Sequence, residues 1–288
     1  MFLNPLSDRG AQARTGGGVF GGSVLSVKGV AQGLRFGYYG TPLSERRDVF
    51  RNLVGVGIYT RAEAARLLGL SPSRVASWVR GYRYTWGPKE RRKHGRQPAV
   101  IQTDLPIVDS TIAVSFLELM ELKVVRRFRS EGIPLQTVRV AWQHAARAFD
   151  TKHPFADRRV FTDRDRIFMA VEDDRQAVPQ LVLEISSRQR PFQLVAGPIF
   201  AESLQEVEFD DETNLVRQWW PLGRDIPIVL DPRIAFGAPV VAGTRIPTST
   251  LALYTIGNSV PAVADAFNLE LSHVDAAVGF EAELALAA

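Results

Sequence analysis

Residues 60–80 read TRAEAARLLGLSPSRVASWVR, and this stretch decides how the chain is organised. Thr60 followed by Glu63 is a capping box, in which each side chain satisfies the other's backbone N–H at a helix start. The helix is expected over 61–68, with Ala62, Ala65 and Leu68 on its inner face. Gly69 stands where a left-handed residue ends a helix. Ser71 is a second N-cap, and Pro72 takes the first helical position, where its missing N–H costs nothing. The second helix, 72–80, places Val75, Trp78 and Val79 at inward spacing. Two short, separately capped helices joined by a glycine turn make a helix-turn-helix. With that face inward, Ser73, Arg74, Ser77 and Arg80 face out. They lie at and near the helix end that enters the major groove in this motif, where Ser and Arg can donate to base edges and phosphates.

Immediately downstream, Tyr82, Tyr84 and Trp86 alternate with Arg83 and Thr85, which is a strand pattern, and Gly87-Pro88 breaks it. Lys89, Arg91, Arg92, Lys93, His94 and Arg96 then precede Pro98 and an apolar Ala99-Val100-Ile101. This predicts a β-hairpin wing with a cationic tip. Arg91, Arg92, Lys93 and Arg96 are the candidate phosphate contacts, binding through counterion release. Charge supports the reading. Residues 61–103 hold ten Lys/Arg against two Asp/Glu, whereas 201–229 hold two against seven and 230–288 two against six. A net charge of only +4 over 288 residues therefore conceals a polyanion-facing block and an acidic C-terminal part.

Five segments are expected. Residues 1–40, with a glycine cluster at 16–22, bury too little apolar surface to offset chain entropy and read as disordered. The Gly16-Gly17-Gly18-Val19-Phe20-Gly21 run lacks the strand and helix that a dinucleotide fingerprint needs. Residues 41–103 are the helix-turn-helix with its wing. Residues 104–173 form a second helical or winged unit, either DNA-facing or serving dimerisation or a structural role. Its helices are expected at 112–130, with Phe116, Leu117, Met120, Val124 and Phe128 inward, and at 134–149; its hairpin at 158–161 and 166–171. Residues 174–229 read as short connecting strands at 181–185, 192–195, 207–209 and 216–220. Trp219 and Trp220 read as core or interface residues. Residues 230–288 form a trihelical unit, with helices at 249–256, 260–267 and 272–285. Its acidity suits protein contact better than a polyanion. The fold class is α+β, mainly α with small β elements.

The chain has no cysteine, which excludes a disulfide scaffold, a cysteine nucleophile and a thiolate metal site. His94, His144, His153 and His273 lack metal-ligand spacing. There is no Gly-x-Ser-x-Gly elbow and no phosphate loop ending in Gly-Lys-Ser/Thr, and Asp210-Asp211-Glu212 reads as solvated acids in a loop. No catalytic, cofactor or metal site is expected, and the chain reads as a regulator and not an enzyme. No apolar run approaches the roughly 20 residues that cross a bilayer, and no cleavable leader follows Met1, so the expected location is the cytoplasm, off the membrane.

One stretch carries a resemblance. Leu230-Asp231-Pro232-Arg233-Ile234, then Gly237-Ala238-Pro239-Val240-Val241-Ala242-Gly243-Thr244-Arg245-Ile246-Pro247, is similar to the domain-of-unknown-function family 433. The continuation through Gly257-Asn258-Ser259, Val263 to Phe267 and Leu271-Ser272 fits it too; Ala262 departs, where the family often has an acid. A helix-turn-helix ahead of this unit resembles VapB-type antitoxins. That resemblance implies a type II toxin–antitoxin role: autorepression at double-stranded operator DNA, a cognate toxin that is commonly a PIN-like ribonuclease, and a homodimer, since one short recognition helix reads few base pairs. A stand-alone transcriptional regulator or a protein-interaction adaptor without a toxin is the alternative. Arg245 is assigned first to capping the preceding turn, and second to an exposed contact.

Overall fold

The computed structural model describes residues 55–105, 112–162 and 205–287. β1 (Ile58–Thr60) leads into α1 (Arg61–Leu67) and α2 (Pro72–Arg80), then into the hairpin of β2 (Tyr82–Trp86) and β3 (Lys93–Gln97). β4 (Ala113–Ser115) returns to pair antiparallel with β1, Tyr59 opposite Val114, and runs into α3 (Phe116–Ser130), α4 (Leu135–Phe149) and α5 (Arg158–Thr162). β5 (Val207–Phe209) pairs with β6 (Val216–Trp219), and β7 (Ile228–Val229) with β8 (Val240–Val241). The described chain closes in α6 (Thr248–Tyr254), α7 (Val260–Phe267) and α8 (Leu271–Leu286). The fold is α+β, helical modules joined by two-stranded antiparallel ladders.

The capping box at α1 forms as expected, with Glu63 N–H donating to Thr60 Oγ1 at 3.2 Å and Thr60 N–H to Glu63 Oε2 at 2.7 Å. Gly69 takes φ +57° at the turn. The inner face of α1 is Ala64, Ala65 and Leu68; Ala62 is exposed, contrary to expectation. So short a helix, with alanines at 62, 64 and 65, carries too little periodicity to fix which of them turns in. A second capping box, Ser115 with Glu118, opens α3. The residues before it, expected as helix from 112, form β4 instead. Val114 is completely buried against β1, and that pairing is with a partner far back in the chain.

Val75, Trp78 and Val79 of α2 pack in one apolar cluster with Leu119, Leu122 and Phe128 of α3 and Val138, Ala141 and Trp142 of α4, and the cluster reaches Trp219 and Leu230. Fully burying each such side chain contributes roughly 1.5–3 kcal/mol. α3 and α4 thus share their core with the helix-turn-helix. Leu117, expected inward, sits half-buried at its margin. Residues 158–161, expected as a strand of a second wing, are helical. Buried Asp157 accepts from Arg159 N–H at 2.9 Å and from its guanidinium at 3.0 and 2.6 Å, and this turns the chain into α5. The other expected wing strand (166–171), the expected strands at 181–185 and 192–195, and residues 1–40 lie outside the described residues.

A second cluster gathers Ile228, Val241, Leu251, Val263, Val274, Ala277 and Phe280, the interior of the expected trihelical unit. α8 starts at Leu271 behind Glu270, one residue before the serine expected to open it. The two clusters meet at half-buried Leu67, which packs against both. The ends are also hydrogen-bonded: the buried Tyr59 hydroxyl donates to Gly237 O at 2.7 Å. Asp231, with no exposed surface, accepts from Arg233 Nη2 at 2.6 Å, Arg233 Nε at 2.9 Å and Gln218 Nε2 at 2.9 Å. Burial pushes the Asp231 carboxyl up, and those donors together hold it below its ordinary range.

Candidate nucleic-acid interface

At the start of α2, Ser71 Oγ accepts Arg74 N–H at 3.3 Å and lies 3.1 Å from Ser73 Oγ. Ser73 and Arg74 are exposed. Ser77 is half-buried, and its hydroxyl donates to Arg74 O at 2.9 Å, so it satisfies itself within the helix. Arg80 is half-buried too, with Nε and Nη2 out of solvent, so it is less available than Arg74. At the other end of α2, Gly81 takes φ +71° and ψ −177°, and a Cβ there would lie 2.2 Å from Gln97 O. Only glycine allows the backbones to pass this closely.

The hairpin has the predicted strands, with Tyr82 opposite Gln97 and Trp86 opposite Lys93. A 3-10 turn over Lys89–Arg91 makes the tip. Arg91, Arg92, Lys93 and Arg96 are all exposed. The base is fastened to the body: Val100 N–H donates to Trp78 O at 2.7 Å, and Arg139 Nε of α4 donates to Pro98 O at 3.1 Å and Ala99 O at 3.3 Å. The helix that carries Arg74 and the hairpin that carries the tip are therefore fastened to one body.

Asp104, seven residues after the hairpin, enters a buried ionic network that sequence reasoning missed. Fully buried Glu121 accepts from Trp142 Nε1 at 2.7 Å and Phe155 N–H at 3.3 Å, and faces His153 Nδ1 at 3.2 Å. His153 Nε2 meets Asp104 Oδ2 at 2.5 Å. Glu118 accepts Asp104 N–H at 2.5 Å and Ser115 N–H at 2.9 Å. Burial opposes charge on His153, but the carboxylates of Glu121 and Asp104 prevail and push it up to about 9. Burial raises Glu118 and Glu121 as well. The network clamps the segment after the hairpin, at Asp104, onto α3. Its one trace in the sequence is a pair of acids, at 118 and 121, inside an otherwise apolar run from Phe116 to Leu122.

In the C-terminal unit Arg245 is exposed, and the turn is closed by its neighbour: Thr244 Oγ1 donates to Val241 O at 2.8 Å and accepts Ile246 N–H at 3.1 Å. The capping role assigned first to Arg245 belongs to Thr244. Trp219 is buried in the first apolar cluster, whereas Trp220 is half-buried and belongs to neither cluster. Among the described residues no group of three or more His, Cys, Asp or Glu side chains is placed to hold a metal, and no helix is long and apolar enough to cross a membrane.

Residues 57–142 match a family described as "Putative DNA-binding HTH domain" (HTH_66), and residues 228–280 match DUF433, a family of proteins of unknown function. The chain joins an HTH_66 segment to a DUF433 segment. The HTH_66 match runs past the hairpin through α3 and into α4, the same stretch that shares one core. The chain is 28% identical over 222 residues to "Putative antitoxin VapB45" of Mycobacterium tuberculosis, covering 74% of this chain and 89% of that one. It is 22% identical over 233 residues to the uncharacterized protein Rv2308 of the same organism, covering 80% and 92%. The crystal structure of Rv2018 from M. tuberculosis shares the fold, with a TM-score of 0.56 and 24% identity over 78% of this chain and 98% of that one.

Proposed function

We propose that this chain is the DNA-binding antitoxin of a type II toxin–antitoxin pair. It represses its own promoter as a homodimer and neutralises a PIN-like ribonuclease toxin. Ser73, Arg74, Ser77 and Arg80 read or approach the major groove, with Arg74 the leading contact. Arg91, Arg92, Lys93 and Arg96 hold phosphates. The observation that carries the reading is the pairing of exposed Arg74 with an exposed cationic hairpin tip on a single fastened base, in a chain similar to an antitoxin over most of its length. The DUF433 segment faces the toxin. Its exposed Leu253, Tyr254 and Ile256, at the end of α6 in an acidic setting, support a protein partner there.

The test is binding of the full chain to its own upstream DNA, with co-expression of the neighbouring reading frame. Nanomolar, sequence-dependent binding together with rescue of toxin-arrested growth is expected. Tight operator binding without rescue removes the toxin and leaves a stand-alone regulator; neither outcome removes both. One observation favours a regulator that responds to a ligand. A cavity of about 450 Å³ lies between the turn after α1 and the C-terminal unit, lined by Leu67, Gly69, Arg126, Trp219 and Phe280 among others.

A further inference from the structure

The hairpin has two faces, and of the ladder residues proposed above as operator contacts only Lys93 lies on the second, beside three aromatic rings that the operator reading does not use. Directly opposed residues of an antiparallel ladder lie on the same face. Arg83 opposite Arg96 and Thr85 opposite His94 therefore share one face. Tyr82, Tyr84 and Trp86 share the other with Gln97, Gly95 and Lys93. The three rings are 47%, 39% and 47% exposed. Tyr84 and Trp86 stack at 5.2 Å with 27° between their planes, and Tyr82 tilts against Tyr84 at 6.0 Å. Gly95 is the floor under this row. A Cβ there would lie 2.6 Å from Tyr84 Cζ and 2.9 Å from Trp86 Cζ3, so the missing side chain is what lets the rings lie across the ribbon.

A contiguous row of exposed rings rimmed by polar groups marks a binding surface, unlike a single exposed ring. Charge selects the occupant. Lys93 lies on the ring face, Arg92 precedes it at the tip, and Arg83 and Arg96 are on the other face of the same ribbon; all four are exposed, so a second copy of the hairpin would bring like charge against like, whereas a polyanion is complementary. Ring faces stack on base faces, and in a duplex those faces are already covered by neighbouring pairs. Interleaved cations and stacking rings are the means by which unpaired strands are held. The hairpin grows directly from the helix-turn-helix, so on the function proposed above it lies against DNA.

We propose that Tyr82, Tyr84 and Trp86 form a stacking platform for unpaired bases of single-stranded DNA, with Lys93 beside them and Arg92 at the tip holding the phosphates. The proposal goes beyond duplex recognition and is tested apart from it. Labelled 15-residue oligothymidylate is titrated with the full chain by fluorescence anisotropy, beside the operator duplex and 15-residue oligouridylate. Tyr84→Ala and Trp86→Ala should each weaken oligothymidylate binding about tenfold, as loss of one stacking ring does. Trp86→Phe, which keeps a ring, should stay within about twofold of the parent. Trp86→Ala should leave duplex affinity unaltered, and Arg74→Ala should do the reverse. Failure to bind oligothymidylate, or binding unchanged in both alanine variants, overturns the proposal. Preference for oligouridylate makes the platform an RNA site, and a fall in particle mass by light scattering in Trp86→Ala makes it a contact between copies; either also overturns it.

Discussion

Two helices in this chain open in the same way and present opposite surfaces. α2 begins behind Ser71, whose Oγ accepts Arg74 N–H at 3.3 Å; α7 begins behind Ser259, whose Oγ accepts Ala262 N–H at 3.4 Å. Both carry a proline in the first turn, and both bury a valine four residues after the cap, Val75 and Val263. On the outer face the likeness ends. α2 offers Arg74 and Ser77 where α7 offers Ala262 and Asp265. Beyond α2 comes a hairpin with a cationic tip; beyond α7 come Glu270 and Asp275. Caps and inward valines fix that a helix forms and how it docks. The partner is chosen by a few outward residues and by the segment next along the chain.

The comparison can be broken or sharpened at several points. The largest effect is expected at the junction only α2 possesses. Gly81→Ala adds a Cβ into Gln97 O in a glycine-only conformation and should cost about 3 kcal/mol or more, read as a lower urea midpoint, with duplex binding lost. A difference in pH response comes next, because the N-terminal core holds His153 and the apolar C-terminal cluster holds no ionisable group among the described residues. The folded pKa of His153, about 9, exceeds its ordinary 6.5. The stabilisation is therefore complete below pH 6.5 and is lost as pH rises through 9. About 3 kcal/mol should disappear over that window in urea unfolding, and His153→Gln should flatten the profile.

Neutralising the tip, Arg91→Gln with Arg92→Gln and Lys93→Gln, should weaken every duplex alike. It should lower the slope of log affinity against log salt by about 2 to 3. Arg74→Ala should cost about 1–3 kcal/mol on the operator and much less on unrelated DNA, which relaxes specificity, whereas Ala262→Arg should gain nothing. A tip variant that keeps the parent slope removes the phosphate role. The smallest effects are at the shared caps. Ser71→Ala and Ser259→Ala should each cost about 1 kcal/mol in thermal unfolding, but only Ser71→Ala should lower DNA affinity.

Local chemistry is legible in the sequence wherever it is dense. The caps of α1, α2 and α7, the inward trio of α2 and both strands of the hairpin each arise from signals within a few residues. Where neighbours in space are distant in sequence, local signals mislead. β4 is a strand because β1 lies beside it, not because residues 112–115 demand it. Residues 158–161 coil around Asp157, which Leu215 pins through a bridge, and nothing within Arg158-Arg159-Val160-Phe161 announces that distant partner. The His153 network brings together residues 104, 118, 121 and 153, and no spacing rule links them. At the candidate interface the outward face of α2 is legible at Ser73 and Arg74. The partial burial of Arg80 depends on the body beneath it, which periodicity does not see.

The bond from Tyr59 to Gly237 has a consequence for how this protein is taken apart. A peptidase that removed everything after α5 would take away the acceptor of the Tyr59 hydroxyl and the residues packed on it, and would strip Trp219 and Leu230 from the cluster that also holds α2. The surviving piece would not be an intact helix-turn-helix unit missing its tail. Clipping the acidic end would disarm the basic one as well, so turnover of either half ends the work of both.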